Sequence, residues 1–218
     1  MTAGKSEETN MRVKTDERRK GILDAAGGIF RELGFGRASM AAISAKVGGS
    51  KATLYSYFKS KEELFAAVMF DAMEELGLQV LDLLDPADTD LHGVLERFGL
   101  AYLAMLLGAE ALANTRIAIA EAESSKLGAK LYDLGPRPFW EAVTAYIEKL
   151  MDRGTLVAAP PRLAALHLQG LLEAGVMEPA LFGVAPLLER AGGVRAAVDV
   201  FLRGYAPGEP LAPNQQSG

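Results

Sequence analysis

The run SKATLYSYFKSKEEL at residues 50–64 gathers three lysines, two tyrosines, a threonine and three serines into fifteen positions. None of these types is set beside a base and an orienting group, so their shared chemistry is hydrogen-bond donation rather than nucleophilic attack. Read as a short helix from about Lys51 to Phe58, the run has two faces. Leu54 and Phe58 lie four apart and point inward, whereas Lys51, Thr53, Ser56 and Tyr57 point outward. Small hydroxyls let a helix sink into the major groove of DNA, and a threonine methyl can touch thymine. Tyrosine hydroxyls and lysine ammonium groups donate to phosphate oxygens. Lys61 falls in the first turn of the next helix, where backbone amides already favour an anion.

The elements that present these groups are helices. SMAAISAKVG (39–48) is a short helix with Ser39 at its N-cap and Met40, Ile43 and Val47 on its apolar side. A glycine-containing turn joins it to KATLYSYF, and two short helices joined in this way make a helix-turn-helix. A longer helix precedes them, with Ile22, Leu23, Ala26, Ile29, Phe30 and Leu33 forming one stripe and Gly34 suited to a left-handed cap. Gly27 and Gly28 inside that helix conflict with helix propensity, which close packing of a neighbouring helix would explain. Ser60 and Glu63 form a capping box for a helix running to about Leu84. Beyond the break DPADTD (85–90), helices are expected near 91–107, 110–131, 137–153, 161–182 and 193–205.

Composition narrows the function further. The 218 residues carry a net charge of -5, but unevenly. Residues 1–62 hold 12 Lys/Arg against 7 Asp/Glu, net +5, and the remainder holds 11 against 21, net -10. A basic head on an acidic body points to a polyanionic partner for the head. Lys5, Arg12, Lys14, Arg18, Arg19 and Lys20 add to that charge and could reach a flanking minor groove. The chain has no cysteine, which removes disulfides, thiolate metal sites and a cysteine nucleophile. No apolar run is long enough to span a membrane, and the charged start lacks a signal-peptide core, so we expect a cytoplasmic protein with no membrane partner. His92 and His167 stand apart, and of Glu110, Glu121 and Glu123 the last two lie two apart and face different sides of a helix, so neither catalytic nor metal-binding residues are assigned. A helical adaptor would account for the helices but not for the hydroxyl-rich basic head.

Over Asp16–Leu76 the sequence resembles the TetR-type transcriptional regulators. AISAKVGGSKATLYSYFKSKEELF follows that family's I-A-x-x-A-G-V-S-x-x-x-[LI]-Y-x-[HY]-F-x-x-K-x-x-L pattern, and AAGGIFRELGFGRASM is similar to its first helix and link. Gly49 stands where the family usually has valine, and Gly27–Gly28 depart from its larger residues. The resemblance implies phosphate contacts for Ser39, Tyr55 and Lys61. It places Lys51, Thr53 and Tyr57 at bases or backbone in the major groove, with Ser50 and Ser56 as further contacts. The stretch from RIAIAEAES to FLRGYAP is similar to the C-terminal domain of the AefR-like subgroup.

The expected protein is thus all-α. A flexible arm (1–15) precedes a helix-turn-helix domain (16–76, motif 39–58), a ligand-binding and dimerisation domain (77–206) and a disordered tail (207–218). The resemblance implies a homodimeric repressor on a palindromic double-stranded DNA operator, with half-sites about one helical turn apart. Leu166, Leu172, Val176, Val198, Phe201, Leu202 and Tyr205 are the expected dimer contacts. Phe98, Tyr102, Met105, Arg116, Phe139, Trp140 and His167 are the expected lining of a pocket for a small hydrophobic or amphipathic effector, with no other cofactor. An activator, or a regulator without ligand, is the alternative within the family.

Overall fold

The computed structural model describes residues 3–48, 50–120, 122 and 127–208, with side chains from Thr15 onward except that of Ala72. Eleven helices are present among them: α1 (Ala3–Arg37), α2 (Met40–Val47), α3 (Lys51–Tyr57), α4 (Lys61–Leu81), α5 (Leu91–Leu106), α6 (Ala109–Ala120), α7 (Leu127–Leu134), α8 (Pro136–Asp152), α9 (Pro161–Glu173), α10 (Met177–Leu181) and α11 (Arg190–Tyr205). The chain divides into two compact units, one of Met1–Glu75 with Ile117–Gly135, the other of Leu76–Arg116 with Pro136–Gly218.

The stripe expected on α1 is the core of the first unit. Ile22, Leu23, Ala26, Ile29 and Phe30 are buried, with Leu33 partly so, against Ile43 of α2, Leu54 of α3 and Leu64, Phe65 and Val68 of α4. Phe65 meets Phe30 and Phe35 edge-on at ring separations of 4.8 and 4.9 Å, the geometry aromatic pairs favour. Gly34 leaves the helical region (φ 75°, ψ 165°), so the helix breaks where the cap was expected, and a short further turn runs on to Arg37. At Gly27 a Cβ would lie 3.3 Å from Val68 Cγ1, so close packing of α4 accounts for that glycine. At Gly28 it would meet only the end of the Lys46 side chain, which can move away, so packing does not account for the second.

Three expectations change. Residues 3–15, expected as an arm, belong to α1. The stretch 110–131, expected as one helix, is α6 and α7, and α7 groups with the first unit because Leu127 is fully buried in its core. The stretch 161–182 is α9 and α10, parted by Gly175 at φ 71°. Gly49, Glu121, Glu123 and residues 209–218 of the tail lie outside the described residues.

In the second unit α9 packs between α8 and α11, and α11 packs on α5. Val94, Leu95 and Phe98 of α5, Val143 and Ile147 of α8, Leu168 of α9 and Val194, Val198 and Phe201 of α11 are all essentially inaccessible to solvent. Gly99 sits where three helices meet: a Cβ there would fall 2.7 Å from Leu172 Cδ2 and 2.8 Å from Val194 Cγ1. Among the described residues no single helix is long and apolar enough to cross a membrane.

Candidate nucleic-acid interface

The recognition face is built by its caps. Ser39 Oγ accepts from the Ala42 amide at 3.2 Å and starts α2, whose end at Gly48 is left-handed (φ 71°, ψ 32°). Ser50 Oγ accepts from the Thr53 amide at 3.0 Å and starts α3, and it also shares a 2.9 Å hydrogen bond with Thr53 Oγ1. Leu54 and Phe58 are locked inward, and the Arg19 guanidinium covers the Phe58 ring at 5.6 Å. With those anchors fixed, Lys51, Tyr55 and Ser56 are exposed, and Thr53, Tyr57 and Lys61 are half-buried. Ser56 Oγ donates to the Thr53 carbonyl at 2.7 Å, and Lys59 Nζ to the Tyr55 carbonyl at 3.3 Å.

The motif serines thus act locally as caps, while their hydroxyls remain at the surface. Tyr57 lays its ring partly against the core, so Tyr55 is the more accessible of the two tyrosines. Lys61 does more than the sequence indicated. Its ammonium donates to the Phe35 carbonyl at 2.8 Å and lies 4.2 Å from the centre of the Phe35 ring, tying the start of α4 to the link between α1 and α2. An ammonium has three donors, so a further acceptor can still be met. The capping box of α4 is shifted by one residue: Ser60 Oγ accepts from the Glu63 amide at 3.1 Å, but Glu63 accepts from the Lys59 amide at 2.7 Å. Glu62 in this first turn has its carboxyl held below the ordinary carboxylate range, chiefly by hydrogen bonding to its own backbone amide.

In the second unit the structure brings four of the seven expected pocket residues together. Phe98, Tyr102, Phe139 and Trp140 form one ring cluster, with Met105 packed beside their core; Tyr102 stacks on Phe139 at 5.5 Å and meets Trp140 edge-on at 5.3 Å. The Tyr102 hydroxyl donates to Glu173 Oε1 at 2.5 Å, and Gln169 Nε2 donates to the same oxygen at 2.9 Å. Burial, and then the Glu173 charge, push the Tyr102 phenol well above its ordinary range. Glu173 and Gln169 were not foreseen, because nothing in the sequence pairs them with a tyrosine 71 residues away.

Arg116 and His167 are exposed and have their partners outside that ring cluster. Arg116 is exposed and donates to the Ala180 and Leu181 carbonyls at 2.6 and 2.9 Å, closing the C-terminus of α10. His167 is exposed, with Nδ1 hydrogen-bonded to the Tyr205 hydroxyl at 2.7 Å. Four expected dimer residues are also corrected. Leu172, Val176, Val198 and Phe201 are buried in the core of their own unit and offer no surface to a partner. Leu166 is 47% exposed, and Leu202 and Tyr205 are partly exposed. Leu163 beside Leu166 on α9, and Val200 on α11, are equally open.

A capped pair of short helices that turns hydroxyls and cations outward from a closed core defines a helix-turn-helix, DNA-binding regulator of transcription. Comparison with known proteins narrows the class. Residues 22–68 match the family described as bacterial regulatory proteins, tetR family, and residues 93–207 match the AefR-like transcriptional repressor, C-terminal domain. The chain belongs to the TetR family of transcriptional regulators, with an AefR-like C-terminal domain. It is 33% identical over 118 residues to the HTH-type transcriptional regulator UidR of Escherichia coli K12, a match covering 50% of this chain and 59% of UidR. A TetR-family regulator of Mesorhizobium loti superposes with a TM-score of 0.74 at 27% identity, covering 88% of this chain and 98% of that one. The flavonoid-responsive regulator FrrA superposes with a TM-score of 0.71, also at 27% identity and with the same coverage.

Proposed function

We propose that the protein is a homodimeric repressor that binds a near-palindromic operator in the cytoplasm through α2 and α3, and that a small molecule bound by its C-terminal unit releases it. The observation that carries the DNA reading is the geometry of α3. Ser50 caps it, Leu54 and Phe58 lock it inward, and Lys51, Tyr55 and Ser56 are left exposed along its outer side. Helices presented in this way enter the major groove, and one short helix reads few bases, so two copies on two half-sites supply the affinity. The AefR-like domain is described in a repressor, which favours repression over activation. FrrA responds to flavonoids, which supports a ligand-responsive reading here. Release follows if the ligand favours a state whose recognition helices no longer match the groove spacing.

The test is fluorescence anisotropy with labelled DNA from upstream of the protein's own gene and from a genomic library, over a salt series. Saturable binding that weakens steeply with salt, and weakens further in a Lys51→Ala, Tyr55→Phe variant, is the expected result. Absence of binding to every fragment at low salt overturns the reading.

A further inference from the structure

The run PALFGVAPLL (179–188) closes α10 and leads to α11, and it carries no charged and no hydrogen-bonding side chain. Four of its residues stand open to solvent: Phe182 is 80% exposed, Leu187 75%, Val184 58% and Leu188 50%. Phe182 and Leu187 are the most open large apolar side chains among the described residues. The backbone beneath them is tied down. The Val184 amide donates to the Pro179 carbonyl and the Leu187 amide to the Gly175 carbonyl, both at 2.9 Å, and Gly183 makes the turn between them at φ 73°. Arg116 holds the Ala180 and Leu181 carbonyls on one side, and on the other the Glu189 carboxylate caps α11 by accepting from the Ala191 and Gly192 amides. A connector whose backbone is satisfied from within, and whose apolar side chains are all left outside, has the character of an interaction surface.

Charge and area select what covers it. Residues 63–218 hold 11 Lys/Arg against 21 Asp/Glu, net -10, so an anionic membrane surface is repelled. A second copy of the chain has no such penalty, since the connector itself is uncharged. A standard interface covers about 800 Å² on each partner. Leu163 and Leu166 of α9 and Val200 of α11 are half-open aliphatic side chains, and together they supply roughly a third of that area. The four connector side chains are larger or more open and supply about twice as much again, which brings the total to the standard size.

The position of the connector says where it falls on the second copy. Leu187 is held by Gly175, just past the end of α9, so the connector lies at the C-terminal end of that helix. Val157 lies at the other end, 39% exposed, with its amide donating to the Tyr205 carbonyl at 2.8 Å. A two-fold axis near Leu166 sets the two copies of α9 antiparallel, and the C-terminal end of one then meets the N-terminal end of the other. We propose that residues 182–188 are a clasp that packs on a second copy of this chain, with Phe182 and Leu187 seated against the partner's Val157 and Leu163. The contact is isologous and is made twice in each dimer. The inference rests on the homodimer of the proposed function and names the surface that completes it.

The experiment uses the full chain, which has no cysteine of its own. Leu187→Cys and Val157→Cys are introduced singly and together, treated with a short bis-maleimide at low protein concentration, and resolved by denaturing electrophoresis, with circular dichroism to verify folding. Within one chain the two positions lie at opposite ends of the 13-residue α9, about 20 Å apart and beyond the reagent's reach. We expect covalent dimers from the double variant and few from either single one. A Phe182→Asp, Leu187→Asp variant should keep its melting temperature at high dilution and self-associate at least about tenfold more weakly in sedimentation velocity. If the unaltered protein sediments as a dimer but the double cysteine variant gives no covalent dimer, the clasp is overturned and the homodimer stands. The same holds if Leu187→Cys alone links as efficiently, or if the aspartate variant associates as tightly as before. If the unaltered protein is monomeric at every concentration, the homodimer reading itself fails, and the clasp with it.

Discussion

The motif residues do two jobs, and single substitutions separate them. Lys51 is exposed on α3, whereas Lys61 is half-buried and bonded to the Phe35 carbonyl. Lys51→Ala is expected to leave stability unchanged and lower the salt dependence of DNA binding by about one counterion. Lys61→Met removes the hydrogen bond and the cation over Phe35, so stability falls by about 1–2 kcal/mol and affinity falls with it. Urea denaturation beside anisotropy checks both; equal stability of the two variants would show that the Lys61 contacts contribute nothing. The two buried tyrosines make a pH prediction. Tyr146 is pushed up to about 12 from an ordinary 10.0, and Tyr102 is raised further. A group whose pKa rises on folding contributes its full stability below its unfolded pKa and loses it as pH climbs toward the folded value. The melting temperature should therefore hold to about pH 10 and fall between pH 10 and 12, with a shallower fall in Tyr146→Phe. An unchanged slope in that variant would show that the phenol ionises as freely in the folded chain as in the unfolded one.

Elements with one clear apolar stripe were legible in the sequence, because a stripe both forms the helix and says which side is buried. Ile22, Leu23, Ala26, Ile29 and Phe30 of α1 are such a case, as are the caps Ser39 and Ser50, whose signal is local. What was not legible depends on partners far along the chain. Lys61 turns to a carbonyl 26 residues upstream, and Tyr102 meets a glutamate 71 residues on. The split between α9 and α10 rests on the left-handed backbone of Gly175, which a continuous apolar pattern conceals. Close approach of helices is equally invisible until they are packed. Gly99→Ala gains up to about 1 kcal/mol of helix propensity. It must also fit a methyl within 2.8 Å of Leu172 and Val194 side-chain atoms that are themselves buried. Overpacking of that kind costs about 1–3 kcal/mol, so the variant should be less stable overall. A rise in its urea midpoint would show that α9 or α11 can move aside.

For the whole molecule the exposed apolar residues of α9 and α11 matter most. Leu163 and Leu166 are 46% and 47% exposed on α9, and Val200 is 51% exposed on α11. Leu163, Leu166, His167 and Gly170 recur at three- and four-residue spacing along α9, so they form one open stripe, and a Cβ at Gly170 would meet nothing within 4 Å. Isolated exposed leucines need no explanation, but a stripe on one helix suits a second copy related by a two-fold axis. In such a dimer Leu166 faces an apolar surface on its partner, and Leu166→Glu would force two carboxylates into an interface that is otherwise apolar. On a monomer the substitution is close to neutral, because the side chain is already half in water. We therefore expect the variant to fold with an unchanged melting temperature at high dilution, sediment as a monomer, and bind operator DNA at least about a hundredfold more weakly, since the second half-site no longer benefits from tethering. Sedimentation velocity and anisotropy on the same preparation decide it: a variant that remains dimeric moves the interface to another face, and one that is monomeric yet binds normally removes the need for a dimer.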